Sequence, residues 1–206
     1  MLRFDVYREG AIASDVNLAG AFLFGQDSIP VRADLACSNG QINCAKRTQG
    51  ACGLAIVWDA GESGKFLLST TRLVERRRPY NLNVELVRGR LTRLGQKIEE
   101  WGLFDFPSAE PLLVEFAAVK GKFIEALKDD DPAIAASKAD DAMSDAVTLG
   151  EKMSLFHAEV LLNRRRGNSA KIFGCSVDLF SMTGDYSAKV KEAFDFISIP
   201  TPWKHT

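Results

Sequence analysis

The chain is short of the residues that metal and redox chemistry rely on. Its 206 residues include two histidines, His157 and His205, and four cysteines, Cys37, Cys44, Cys52 and Cys175, with no C-x-x-C pair among them. A zinc site built from Cys37, Cys44 and Cys52 needs a fourth ligand from far along the chain, so the four read as buried, reduced thiols. No G-x-S-x-G occurs, which removes the local signature of a serine hydrolase. An excess of charge is missing as well: 26 Lys and Arg against 27 Asp and Glu leave a formal net charge of -1. That balance gives no electrostatic footprint for a nucleic-acid partner. The short basic runs Arg76 to Arg78 and Arg164 to Arg166 read as solvated charge, the second complementing the C-terminal end of a helix dipole. No stretch approaches the roughly 18 consecutive apolar residues of a membrane helix. The opening MLRFDVYREG carries Arg3, Asp5, Arg8 and Glu9 and has no apolar core of the signal-peptide kind. The expectation is a cytoplasmic protein with no cofactor, no membrane partner and no nucleic-acid partner.

What is present is enough apolar residue, 46% of the chain, for a sizeable core. Residues 1–80 read as β. Leu2 to Tyr7 alternates, and Ala21 to Phe24, Val31 to Ala36, Leu54 to Trp58 and Lys65 to Leu68 are further short runs. Asn39-Gly40 between two such runs is a strong hairpin signal. Gly61-Glu62-Ser63-Gly64-Lys65 resembles a phosphate-binding loop only superficially: the glycine spacing is too short, and Phe66 stands where a Ser or Thr would meet magnesium. A hairpin turn accounts for it. Short strands at this spacing predict an antiparallel, sandwich-like region.

From about Asn81 the period becomes helical. Val87, Leu91, Leu94, Ile98 and Trp101 form one apolar stripe, and Leu112, Phe116, Val119 and Phe123 a second. Asp131-Pro132 opens a third helix, a capping residue followed by proline at the first helical position. Its stripe is Ala142, Ala146, Leu149, Met153, Phe156 and Val160, with Gly167 as a stop. His157, beside Phe156, reads as a structural histidine, and the acidic residues Asp129 to Asp131 and Asp140-Asp141 as solvated. Residues 81–167 are expected to pack on the β region as one compact unit.

The last 36 residues change character again. Ile172 to Phe180 is strand-like, Tyr186, Val190 and Phe194 mark a short helix, and Phe196 to Ile199 is a second apolar strand. Strand, helix, strand in so little chain is a βαβ unit with parallel strands, which needs covered faces and neighbouring strands. Just past the second strand stand Trp203 and Lys204. An aromatic face stacks on sugar C–H groups and an ammonium donates to hydroxyl oxygens. Covering a sheet edge explains Trp203 equally well.

The segment running from Lys171 to Phe180 and from Tyr186 to Thr206 resembles the opening of the catalytic barrel of glycoside hydrolase family 10, the xylanases. Phe173-Gly174 matches the family's first-strand Phe-Gly, and Phe194-Asp195 its helix-ending Phe-Asn pair. The family's second strand leads into Glu-Asn-x-Met-Lys-Trp beside the cleavage point. Here Lys204 falls on the motif lysine, which hydrogen-bonds substrate in the family. Trp203 stands at the methionine, His205 at the tryptophan, and Pro200-Thr201 replace the Glu-Asn pair. Residues 1–167 resemble, in overall pattern only, the extension that precedes divergent barrels of this kind.

The expected architecture is therefore α+β: a β-sandwich-like region over 1–80, a three-helix segment over 81–167, and at 171–206 the first βαβ of a (β/α)8 TIM barrel. The resemblance implies the N-terminal portion of a polysaccharide-cleaving enzyme, ending before the family's two catalytic glutamates, with Lys204 and Trp203 as substrate-binding residues and no catalytic or metal-binding residue present. A polysaccharide or oligosaccharide is the implied partner. Two alternatives stand beside it. One is a non-catalytic carbohydrate-binding module with Trp58, Phe66 and Tyr80 as a sugar platform. The other is a ligand-free interaction module, since striped helices also make dimers.

Overall fold

The computed structural model describes residues 1–164, 173–178 and 183–200. Ten strands come first: β1 (Leu2–Asp5), β2 (Tyr7–Arg8), β3 (Ala11–Ile12), β4 (Phe22–Phe24), β5 (Pro30–Val31), β6 (Ala33–Ser38), β7 (Gln41–Lys46), β8 (Gly53–Asp59), β9 (Lys65–Ser69) and β10 (Tyr80–Asn81). Helices α1 (Leu82–Glu100), α2 (Glu110–Leu127) and α3 (Pro132–Arg164) follow, then β11 (Gly174–Ser176), α4 (Gly184–Ala193) and β12 (Phe196–Ser198). The molecule is thus mixed α+β. Its backbone divides into two compact units, Met1–Ala158 and Glu159–Thr206.

In the first unit the strands make two four-stranded sheets, ordered β10-β1-β7-β6 and β5-β4-β8-β9, and a separate β2–β3 hairpin. Turn chemistry sets the registers. Asn39 and Gly40 both take positive φ, 50° and 69°, and close the β6–β7 hairpin with Ser38 opposite Gln41. A left-handed pair of this kind matches the twist of the strands it joins. Gly61 to Gly64 likewise turns β8 into β9, with Asp59 opposite Lys65, and no phosphate loop forms.

The expectation of one continuous strand from Val31 to Ala36 is corrected. Pairing breaks at Arg32, so that β5 belongs to one sheet and β6 to the other. A purely antiparallel β region is corrected too: β10 runs parallel to β1, pairing Phe4 with Tyr80. It can do so because it arrives from a long connection and not from a hairpin.

The helices begin where their caps place them. Asn81 accepts from the Val84 amide at the start of α1, and Asp131 accepts from the Ala133 amide at 2.8 Å at the start of α3. Their stripes meet the strands in one core. Leu2, Phe4, Ile42, Leu54 and Ile56 from the sheets share it with Leu86, Val87, Leu94, Val119, Met143 and Leu149 from the helices. At Gly89 the α1 backbone lies so close to β9 that a Cβ would overlap the Ser69 carbonyl oxygen. The boundary expected at Gly167 lies outside the described residues. The division into units instead falls within α3, after Ala158.

In the second unit β11 and β12 pair in parallel, Cys175 opposite Ile197, with α4 as the crossover. Thr183 caps α4, accepting from the Tyr186 amide. Further amide bonds extend the pairing: Val177 donates to Ser198 and Asp195 to Phe173. The strand expected to be buried, Phe196 to Ile199, is exposed along its whole length in this unit.

Candidate functional site

Three places carry chemically capable residues, and in two of them described side chains come together. The first is the C-terminal end of the β11–β12 pair. Asp178 lies two residues past the end of β11, and Pro200 two past the end of β12. Trp203 and Lys204, the expected substrate-binding residues, and His205 lie outside the described residues. The other carboxylates of this unit sit elsewhere: Asp185 is in the first turn of α4, ion-paired with Lys189 at 3.3 Å, Glu192 is in the last turn, and Asp195 follows the helix.

The second place is built on a buried polar tie in the first unit. The Asn83 side chain, in the first turn of α1, pairs with the Tyr7 peptide as another strand residue would. The Tyr7 amide donates to Asn83 Oδ1 at 3.1 Å, and Asn83 Nδ2 donates to the Tyr7 carbonyl at 3.0 Å. The second Nδ2 hydrogen goes to Asp140 Oδ2 on α3 at 2.8 Å, which uses up the amide's donors. The Trp58 indole N–H is turned toward this carboxylate and favours its charged form. Asp140 Oδ1 is enclosed and has no partner among the described residues. Burial pushes the Asp140 carboxyl up from its ordinary 3.8 to about 6, against the opposing pull of the Asn83 hydrogen bond, of the Trp58 indole and of Arg8.

This tie fixes Trp58 as the wall of a cleft of about 560 Å³ between the β2–β3 hairpin and the β8–β9 turn, lined also by Arg8, Ser14, Asp15, Asn17, Asp59 and Lys65. Arg8 lies over the Trp58 ring, 5.8 Å from its centroid. Trp58 is only 5% exposed and Tyr80 7%, so the aromatic platform considered for Trp58, Phe66 and Tyr80 does not exist. Tyr80 instead lies under the Arg76 guanidinium, 3.5 Å from its ring centroid, and hydrogen-bonds the Val74 carbonyl.

The third place is a polar cleft of similar volume between the β4–β5 turn, the end of β9 and α1, where Arg72 and Arg93 come together with Ser28, Thr71, Thr92 and Gln96.

The other candidates take structural roles. His157 stacks on Trp101 with centroids 4.4 Å apart and planes 6° from parallel. Cys44 is fully buried in the core and its thiol is pushed up to about 12, which makes it inert at neutral pH. Reading Asp140 as solvated is corrected by the tie. It lies between Ala136, Ala139 and Met143, all buried, and that position beside the stripe was the signal in the sequence.

Compared with protein-family models, curated proteins and solved structures, the chain matches none. Its chemistry is therefore argued from these three places. Among the described residues, no helix is long and apolar enough to cross a membrane.

Proposed function

We propose that this is a carbohydrate-active protein whose residues 171–206 belong to a (β/α)8 glycoside-hydrolase barrel of the xylanase type. The observation that carries the reading is the parallel pairing of β11 with β12 around α4, the repeat from which such barrels are built. The pairs that resemble the xylanase motifs fall within that repeat, Phe173-Gly174 at the start of β11 and Phe194-Asp195 between α4 and β12. In barrels of this type substrate binds at the C-terminal ends of the strands, which here are the positions of Asp178 and the segment after Pro200. Lys204 and Trp203 are the proposed sugar contacts.

Binding and cleavage separate in this chain. Retaining hydrolysis needs two carboxyl groups about 5–5.5 Å apart at the scissile bond. Of the carboxylates in the second unit only Asp178 follows a strand end, while Asp185, Glu192 and Asp195 are on or just past the helix. Residues 1–206 are therefore expected to bind xylo-oligosaccharides without hydrolysing xylan or aryl-xylosides. Turnover that Asp178→Asn abolishes would overturn this.

A second reading places sugar binding in the first unit, at the cleft walled by Trp58. Its mix of Arg8, Asp15, Asn17, Asp59 and Lys65 supplies both donors and acceptors for sugar hydroxyls. Calorimetric titration with xylohexaose separates the readings. Loss of binding in Lys204→Ala supports the barrel end, and loss in Asp15→Ala supports the cleft. No binding in the unaltered chain would sink both and leave an interaction module.

A further inference from the structure

We infer that the cleft between the β4–β5 turn, the end of β9 and α1 is a second ligand site, and that it takes the carboxylate of an acidic sugar, a hexuronate. The inference rests on the carbohydrate reading above and adds to it a charge preference and an address. The site shares no lining residue with the cleft beside Trp58.

The argument begins with charge. Basic and acidic residues nearly cancel over the chain, and many of the cations have partners: Arg88 pairs with Glu85 at 3.0 Å and Lys152 with Glu115 at 2.8 Å. Arg72 and Arg93 line this cleft, and among the described residues neither guanidinium forms an ion pair or a hydrogen bond. One turn before Arg93, the half-buried Arg90 reaches across to α3 and donates to the Ala146 carbonyl at 3.3 Å, again with no carboxylate. Burial and the charge of Arg93 both hold Arg90 below its ordinary range. Positive charge without a partner thus collects along one stretch of α1. A guanidinium is a planar fork of donors matched to a carboxylate.

The remaining lining distinguishes a sugar acid from a bare anion. Ser28, Thr71, Thr92 and Gln96 offer hydroxyls and an amide, which suit a polyhydroxylated ligand. Asp27 also faces the cleft and pairs with neither arginine. Exposed to solvent, it can accept from a sugar hydroxyl. At about 560 Å³ the cleft is in the size range of small-molecule sites.

The frame is held by backbone and not by side-chain chance. The close approach of α1 to Ser69 at Gly89 sets Thr92 and Arg93 against Thr71 and Arg72. In the turn between β4 and β5, Asp27 and Ser28 both take positive φ, 58° and 59°.

The test is calorimetry on the whole chain with three probes: a neutral xylo-oligosaccharide, one of the same length bearing a glucuronate, and inorganic phosphate. The acidic sugar should bind at least tenfold tighter than the neutral one. That advantage should shrink as salt is raised and vanish in the Arg72→Gln, Arg93→Gln double variant, whose melting should be unchanged because both residues are exposed. Equal affinity for the two sugars, or an advantage that survives the double variant, overturns the inference while leaving sugar binding at the barrel end intact. Phosphate binding at the arginines without acidic-sugar binding overturns the hexuronate ligand. Acidic-sugar binding at the arginines with no neutral binding supports the inference and instead removes the barrel-end site.

Discussion

Strand β8 of the first unit and strand β12 of the second carry the same kinds of side chain and meet opposite environments. Leu54 and Ile56 on β8 are fully buried, whereas on β12 Phe196 is 55% exposed and Ile197 43%. The difference is one of neighbours. Strand β8 has β4 on one side, β9 on the other, and a core shared with α1 to α3, whereas among the described residues β12 pairs with β11 alone and is exposed at each of its positions. Apolar content decides how a strand would like to sit, and the number of covering layers decides whether it is stabilised there. The first unit completes its layers within its own residues, and the second presents a repeat whose apolar faces invite further cover.

The sharpest way to break this contrast is to cut the first unit. Residues 1–164 should unfold in one cooperative denaturant transition, and residues 1–80 alone should show none, because the core is shared between strands and helices. Separate transitions for the strand and helix parts would show two cores where we describe one. Next in size is a matched pair of substitutions. Phe4→Ala, at a fully buried ring, should cost about 3–5 kcal/mol, while Phe196→Ala should cost under about 1 kcal/mol, both measured by urea unfolding.

The pH dependence of the first unit comes third. The folded Asp140 carboxyl titrates at about 6, above its ordinary 3.8, so the folded state holds the proton more tightly than the unfolded one. Its contribution is fully present below about pH 4 and is lost as pH rises towards and through about 6. The fall is at most about 3 kcal/mol, and Asp140→Asn should flatten it. Stability that rises over that interval because of Asp140 would contradict the buried tie. The smallest effect belongs to the second unit. Lys189→Ala removes an i,i+4 pair with Asp185 that is open to solvent, and should change stability by less than about 0.5 kcal/mol.

Local signals carried much of the fold. The Asn39-Gly40 turn, the Asp131-Pro132 start and the stripes of α1 to α3 act within a few residues, and each is where the sequence places it. The βαβ repeat was also legible, because length and periodicity leave little choice of topology. The break at Arg32 was not, since either side of it is equally strand-like. Nor was the parallel pairing of β10 with β1, which joins residues 76 positions apart at Phe4 and Tyr80. The candidate sites were the least legible part. The tie of Tyr7, Asn83, Trp58 and Asp140 and the clefts at Trp58 and at Arg72 and Arg93 assemble from segments far apart in sequence that only tertiary packing brings near.

That long-range pairing governs the order of folding. The first sheet gains its β10 edge, and Tyr7 its Asn83 partner, only after a loop of some 76 residues has closed, at an entropic cost of about 4 kcal/mol. As the chain emerges from a ribosome, β1 can pair with β7 as soon as the Asn39-Gly40 hairpin has formed, yet its other edge stays open until the start of α1 arrives. The N-terminal strand is then a waiting template, with Leu2 and Phe4 unshielded by the helices. The yield of folded protein should depend on how quickly synthesis proceeds from β7 to α1.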